Sequence, residues 1–167
     1  GTDNYQTGTA YDLHNATDAR WTIIDGPQIR SLIQVMSTQS GDVIGDDKPD
    51  LVISARNIDR NFRDIFVLDG SYLATRPAHV DLASFTEAMG VQVTNVGLGQ
   101  TNAEILTDLT SDLDGDGKAE IGFGSAELTG VNGQAGIIYS SGLANAGVSF
   151  DLASNLNQVT LIDDSNA

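Results

Sequence analysis

Short apolar runs alternate with polar, glycine-containing segments along the chain, and this pattern predicts a structure built from strands. Each run is only a few residues long and is bounded by Gly, Asp or Asn, which is typical of strands rather than helices. One competing stretch, residues 83–89, has a helical pattern but is too short for a clear second turn. The predicted strands are residues 21–24, 31–36, 51–55, 65–68, 91–94, 103–107, 121–125, 136–139 and 159–162.

The strand pattern repeats along the chain at a constant offset, which indicates an internal repeat. Residues 81–84 (Asp-Leu-Ala-Ser) recur at 151–154, and a weaker copy (Asp-Leu-His-Asn) stands near the start of the chain, at 12–15. Matches at the same offset also occur between three isolated pairs: Ser71 with Ser141, Leu73 with Leu143, and Ala74 with Ala144. The chain is therefore predicted to contain two full repeats, at 29–98 and 99–167, preceded at 1–28 by the end of another repeat.

Four strands in about 70 residues is the size of a β-propeller blade. The sequence therefore predicts an all-β fold of four-stranded propeller-blade repeats, forming an incomplete propeller of about two blades plus an extra strand. A closed propeller takes about four to eight blades. Three arrangements stay open: a fragment of a longer protein, several copies that assemble into a ring, or a self-contained fold of two motifs.

Acidic residues are concentrated in two nine-residue loops, 42–50 and 112–120. These loops hold 8 of the 23 carboxylates of the chain and occupy equivalent places in the two repeats. The only two lysines, Lys48 and Lys118, occupy position seven of each loop. A repeated pattern of this kind indicates a shared local function.

The second loop carries alternating carboxylates followed by a glycine and a late acid: Asp112, Asp114 and Asp116, then Gly117, then Glu120. Alternating carboxylates in a tight loop converge on one point, and oxygen ligands suit a hard cation such as Ca²⁺. The glycine permits the left-handed turn that returns the late acid to the site, and position seven, Lys118, offers its backbone carbonyl. The second loop is predicted to be a Ca²⁺ site.

The first loop keeps only part of this pattern. It places carboxylates at positions one, five and nine and a carbonyl at position seven, from Asp42, Asp46, Asp50 and Lys48. Position three is Ile44, which cannot ligate a metal, and position six is Asp47 rather than glycine. The first loop is either a weaker Ca²⁺ site or a vestigial one.

An EF-hand is a poor explanation of these loops, because it needs a bidentate acid at position twelve, where this chain has Ile53 and Phe123 inside apolar runs. The loop at 112–120 instead resembles the D-x-D-x-D-G-x-x-D cation loop of integrin-alpha-type, or FG-GAP, β-propeller repeats, with Glu120 at the last position. The resemblance implies a calcium-stabilised propeller in a secreted or cell-surface protein that serves adhesion or ligand binding.

Composition narrows the possible partners. The net charge of −15 argues against binding nucleic acid or anionic lipid. No apolar run approaches the length of a membrane span, so insertion into a membrane is not expected. The chain has no cysteine, which excludes a disulfide framework and thiolate zinc sites. We expect a protein or glycan ligand, or neighbouring blades of a parent protein, with a homo-oligomeric ring as a further option.

A non-enzymatic interaction module is the favoured function, because no nucleophile–base signature accompanies the loops. A fragment of a secreted calcium-dependent hydrolase or lyase is the alternative from another class. A structural spacer in a large adhesin would show the same sequence features.

Overall fold

The computed structural model describes residues 21–27, 32–35, 41–57, 62–96, 110–125 and 134–163. In these residues strands predominate and the two α-helices span one turn each, so the prediction of an all-β chain is confirmed. The strands are β1 Ile23–Asp25, β2 Leu32–Val35, β3 Leu51–Asn57, β4 Phe62–Leu68, β5 His79–Asp81, β6 Gly90–Val96, β7 Thr110–Ser111, β8 Glu120–Ser125, β9 Gln134–Ile138, β10 Ser149–Asp151 and β11 Val159–Asp163. The helices are α1 Gly70–Leu73 and α2 Ser140–Leu143, with 3₁₀ turns at Leu82–Ser84, Glu87–Met89, Leu152–Ser154 and Leu156–Gln158.

Two antiparallel sheets with the same order of strands form the body of the described structure. The first sheet runs β2-β3-β4-β6, and the second runs β7-β8-β9-β11. Short β10 adds to the free side of β6 in parallel, and β5 pairs with β1 in the same way. The sheets are open, and closure into a propeller is not seen among the described strands.

The sequence pattern located most strands but not all. The predicted strands at 51–55, 65–68, 91–94, 121–125, 136–139 and 159–162 coincide with β3, β4, β6, β8, β9 and β11. The predicted strand at 103–107 lies outside the described residues. Strands β5, β7 and β10 were not predicted, and the helical pattern at 83–89 forms two 3₁₀ turns instead.

The core lies on both faces of the first sheet, because its strands carry apolar residues at consecutive positions. Val52 and Val67 face the second sheet, where they join Ile121, Phe123 and other residues in one buried cluster. Ile53 and Phe66, their neighbours in sequence, point to the opposite face, because successive residues of a strand alternate between faces. There they pack in a second cluster with Val80 and Leu82.

The two acidic loops occupy equivalent places, one between β2 and β3 and the other between β7 and β8. Both loops lead into a central strand of a sheet, so their late acids are buried: Asp50 is 1 % exposed and Glu120 is 0 % exposed. None of the helices in the described ranges is long and apolar enough to cross a membrane.

Candidate metal centres

The second loop brings three of the predicted ligands together. Carboxylate oxygens of Asp112, Asp114 and Asp116 all lie within 4.8 Å of one another, and the three side chains are exposed. Asp112 accepts backbone hydrogen bonds from Gly115 at 2.6 Å and from Gly117 at 3.0 Å. Asp114 accepts one from Asp116 at 3.1 Å. Backbone N–H groups thus fix the carboxylates, and three oxygen ligands face one small volume.

Glu120, the late acid of this loop, is not part of that group of three. Its Oε2 atom accepts a hydrogen bond from the backbone N–H of Leu113 at 2.6 Å, which ties the loop's end to its beginning. Its Oε1 atom is buried and has no hydrogen-bond partner among the described residues. A buried carboxylate oxygen without a partner is energetically costly, and a cation would satisfy it. The oxygen atoms of Asp112, Asp114 and Asp116 fit a metal ion by their chemistry, and the unpartnered Glu120 Oε1 lies outside that group.

The first loop has the same backbone network despite its two departures in sequence. Asp42, at position one, accepts from the N–H groups of positions four and six, as Asp112 does. The position-nine acid, Asp50, accepts from position two, Val43, at 2.8 Å, as Glu120 does from Leu113. The first loop therefore has the same backbone hydrogen-bond framework as the second.

Position six explains how the first loop tolerates the loss of glycine. Gly117 has φ +90° in the second loop, and Asp47 has φ +64° at the equivalent place in the first. Aspartate is one of the few residues with a side chain that enters the left-handed region at modest cost. The sequence departure at Asp47 thus leaves the conformation of the loop unchanged.

Position three is different, because Ile44 supplies no oxygen. Its side chain is partly buried and packs against the core cluster between the sheets. The structure groups Asp46 and Asp50 with Asp69, whose carboxylate lies within 4.8 Å of theirs, and Asp42 is not in this group. The first candidate centre therefore uses a carboxylate from outside the loop.

Asp69 was missed by the sequence reasoning. It follows β4 and caps α1, accepting hydrogen bonds from the backbone N–H groups of Ser71 and Tyr72. The equivalent residue of the second repeat is Tyr139, so the repeat gives no sign of a shared ligand here. The only available signal was an acid immediately after an apolar run, beside the glycine Gly70.

Burial dominates the electrostatics of the first centre. Removal of Asp50 from water raises its pKa above the usual 3.8, although the backbone N–H groups of Ile44, Gly70 and Val43 oppose this by stabilising the carboxylate. The nearby charge of Asp42 raises the pKa of Asp50 further. An adjacent cation would offset both unfavourable effects, because an opposite charge favours the ionised form.

The acid at position five of each loop also accepts a hydrogen bond from a serine hydroxyl. The serine belongs to the short helix that follows the third strand of the sheet. Ser71 donates to Asp46, and Ser140 donates to Asp116 at 3.3 Å. Lys48, predicted to offer its carbonyl, sends its side chain to the same serine, with Nζ 2.8 Å from Ser71 Oγ. The short helices α1 and α2 therefore hold the acidic loops in place.

The two loops touch each other at the junction between the sheets. The backbone N–H of Ala119 donates to the carbonyl oxygen of Asp42 at 2.7 Å. The side chain of Lys118 crosses Gly45 so closely that a methyl group there would lie 2.7 Å from Lys118 Cε. Any ion that orders the second loop would therefore also order this junction.

No protein-family model matches the chain, and neither a curated protein nor a solved structure matches it. The chemistry of the two acidic clusters, each of which could hold a metal ion, thus rests on their own geometry.

Proposed function

We propose that the chain is a calcium-binding, β-propeller-type interaction module of a secreted or cell-surface protein, in which the metal is structural. The observation that carries the metal assignment is the convergence of Asp112, Asp114 and Asp116 within 4.8 Å. Its support is the repetition of the same loop framework at Asp42–Asp50 with a second acidic cluster beside it.

Calcium is the cation that this donor set favours. All candidate ligands are oxygens, and Ca²⁺ accepts six to eight of them in flexible geometry at about 2.3–2.6 Å. Mg²⁺ needs near-ideal octahedral geometry and shorter bonds. Zn²⁺ prefers the nitrogen and sulfur ligands that these loops lack, and the whole chain has no cysteine.

A structural role follows from the position of the second loop. The loop precedes β8, and its penultimate residue is hydrogen-bonded to the first loop through Ala119 and Asp42. Binding of a divalent ion would offset most of the charge of three crowded carboxylates and hold this connection between the sheets. The gain in stability depends on metal concentration and is about 2.7 kcal/mol at a hundred times the dissociation constant.

The propeller-type architecture is supported by the equal strand order of the two sheets and by the recurrence of the loop at 42–50 as the loop at 112–120. The proposed extracellular location and the protein or glycan ligand rest on the resemblance of the loops to FG-GAP repeats. In such architectures the loops at one face of the propeller form the binding surface.

Calorimetric titration with CaCl₂ tests the metal assignment. We expect one or two sites, a higher Tm with calcium than with chelator, and weaker binding of MgCl₂ at the same sites. The Glu87→Gln variant is the matched control, because Glu87 is an exposed acid outside both clusters. An identical melting curve in millimolar calcium and in chelator would count directly against calcium binding.

The interaction role needs a separate assay. A glycan array and a screen of hydrolase and lyase substrates, each with and without calcium, distinguish a binding module from an enzyme. Turnover that stops on chelation would contradict the structural role of the metal.

A further inference from the structure

The same short parallel pairing occurs twice between successive sheets. β5 adds to β1, with Val80 opposite Ile24, and β10 adds to β6, with Phe150 opposite Val93. In each case the three-residue strand belongs to the following repeat and completes the outer strand of the preceding one. We call β5 and β10 the docking strands, and β1, β6 and β11 the outer strands.

Each docking strand is held by its central residue and by a turn that follows it. Val80 and Phe150 are 0 % and 3 % exposed, and the leucine two residues later, Leu82 or Leu152, is also buried. The last residue of each docking strand is an aspartate that caps this turn by accepting a backbone hydrogen bond from two residues ahead. The docking sequence is therefore an apolar residue followed by Asp-Leu.

β11 is the third outer strand by register and by sequence. Val159 pairs with Ile138 of β9 as Gly90 pairs with Leu68 of β4, so residues 161–163 occupy the positions of residues 92–94 of β6. Residues 160–163 read Thr-Leu-Ile-Asp, and residues 22–25, which include β1, read Thr-Ile-Ile-Asp. β11 therefore has the sequence and the position of a strand that accepts a docking strand.

The outer side of β11 is uncovered in the described structure, where β11 pairs only with β9. Ile162 is 60 % exposed, whereas Val93, at the same place in β6, is fully buried under the docked β10. Ile24, at this place in β1, packs with Val80 and Leu82. An exposed isoleucine on an open strand edge is a ready-made site for strand addition.

The chain carries one more copy of the docking sequence, at Ala10-Tyr11-Asp12-Leu13, in the part that lies outside the described residues. Among the described strands, β5 and β10 occupy β1 and β6 whereas β11 has no docking strand, so residues 10–13 and β11 match each other in sequence type. We propose that β11 accepts residues 10–13 of a second copy of this chain as a parallel strand. This contact is head-to-tail, so it produces closed rings or open polymers.

Sedimentation and light scattering of the full chain in calcium test this proposal. The wild-type protein should form species at multiples of 17.6 kDa whose population grows with concentration. Ile162→Lys places a charge on the strand edge, and it should shift the protein to monomer and remove the concentration dependence of Tm that association gives the wild type. Leu156→Lys is the matched control, because Leu156 is 45 % exposed and stands just before β11; it should leave association unchanged.

Mixing two variants gives a sharper result. Ile162→Lys keeps residues 10–13 but has a blocked edge, and Tyr11→Lys keeps the edge but has a damaged docking sequence. Each should be monomeric alone, and an equal mixture should give dimers and nothing larger. A peptide with the sequence of residues 148–154 should dissociate the wild-type assembly, whereas a scrambled peptide should not.

Three results would overturn the proposal. A wild-type protein that is monomeric at every concentration would show that no second copy docks. Equal effects of Ile162→Lys and Leu156→Lys would place the contact elsewhere. Association of the wild type that the docking peptide leaves intact would exclude strand addition at β11, even if a variant failed to fold.

Discussion

Replacing Asp114 by asparagine removes one charge from the second acidic cluster while keeping the oxygen that accepts the backbone hydrogen bond of Asp116. We expect opposite effects on stability with and without calcium. Without metal the variant should be more stable than the wild type, because three carboxylates within 4.8 Å of one another repel. With calcium it should be less stable, because it lacks a charged ligand.

The repulsion can be estimated from the geometry. At the 4.8 Å upper limit of their separation, two unit charges repel by roughly 0.9 kcal/mol in water, and the exposure of all three side chains makes the value for water appropriate. Asp114 takes part in two such pairs, and physiological salt screens roughly half of the repulsion at this distance. The gain without metal is therefore about 0.5–1 kcal/mol, or about 1–4 °C in Tm for a chain of this size.

Calcium reverses the order of stability of the wild type and the Asp114→Asn variant. At a hundred times its dissociation constant, calcium stabilises the wild type by about 2.7 kcal/mol. A variant that binds a hundredfold more weakly gains only about 0.4 kcal/mol under the same conditions. Thermal unfolding in chelator and in calcium should therefore give crossed Tm values. The Glu87→Gln control should show the wild-type response to calcium.

Two results would refute this reasoning. A calcium-induced rise in Tm that is the same in the variant and the wild type would show that Asp114 is not a ligand. A Tm in chelator below that of the wild type would show that the cluster is not strained by repulsion.

Three further predictions concern the loop, the core and the docked strand. Asp47→Gly should raise the free energy of unfolding in chelator by about 1 kcal/mol, because Asp47 has φ +64°, a conformation that is strained for a residue with a side chain. Denaturant unfolding measures this change, and a lower free energy of unfolding in the variant would contradict the backbone strain. Gly136→Ala should destabilise the fold by about 1–3 kcal/mol, because the new methyl would lie 2.5 Å from the ring of Phe123; adding Phe123→Leu should make the double variant lose less than the sum of the single losses. Hydrogen bonds, chiefly from the Asn95 amide, hold the pKa of Asp151 below its usual 3.8. The ionised carboxylate therefore stabilises the fold above that pH, and this contribution is lost as the pH falls through the lowered pKa. Asn95→Gly, which keeps the positive φ, should raise the pKa of Asp151 towards 3.8 in an NMR titration, and an unchanged pKa would contradict the assigned cause.

The central strands could be predicted because apolar residues lie on both of their faces. Val52 and Ile53 pack on opposite faces of the first sheet, so the sequence shows a continuous apolar run where β3 lies. The docking strands gave no such signal. Each contains one buried apolar residue, Val80 or Phe150, and its position depends on a strand from another repeat.

The candidate site likewise contains residues that the sequence predicts and residues that it does not. Asp112, Asp114 and Asp116 could be recognised because their spacing within one loop determines their convergence. Asp69 could not, because it reaches the first cluster only through the path of β4 across the sheet. Glu120 was recognised as a late acid, but its burial depends on its position at the start of the central strand β8.

The docked strands also affect how the chain unfolds. β5 and β10 each complete a sheet that began in the preceding sequence repeat, so the strand pairing crosses the boundary near residue 28 and that near residue 98. A segment cut out at those boundaries would lose a strand at one end and keep an unpaired docking strand at the other. The interlocking couples neighbouring repeats, so thermal or chemical unfolding should spread from one sheet to the next as a single cooperative transition.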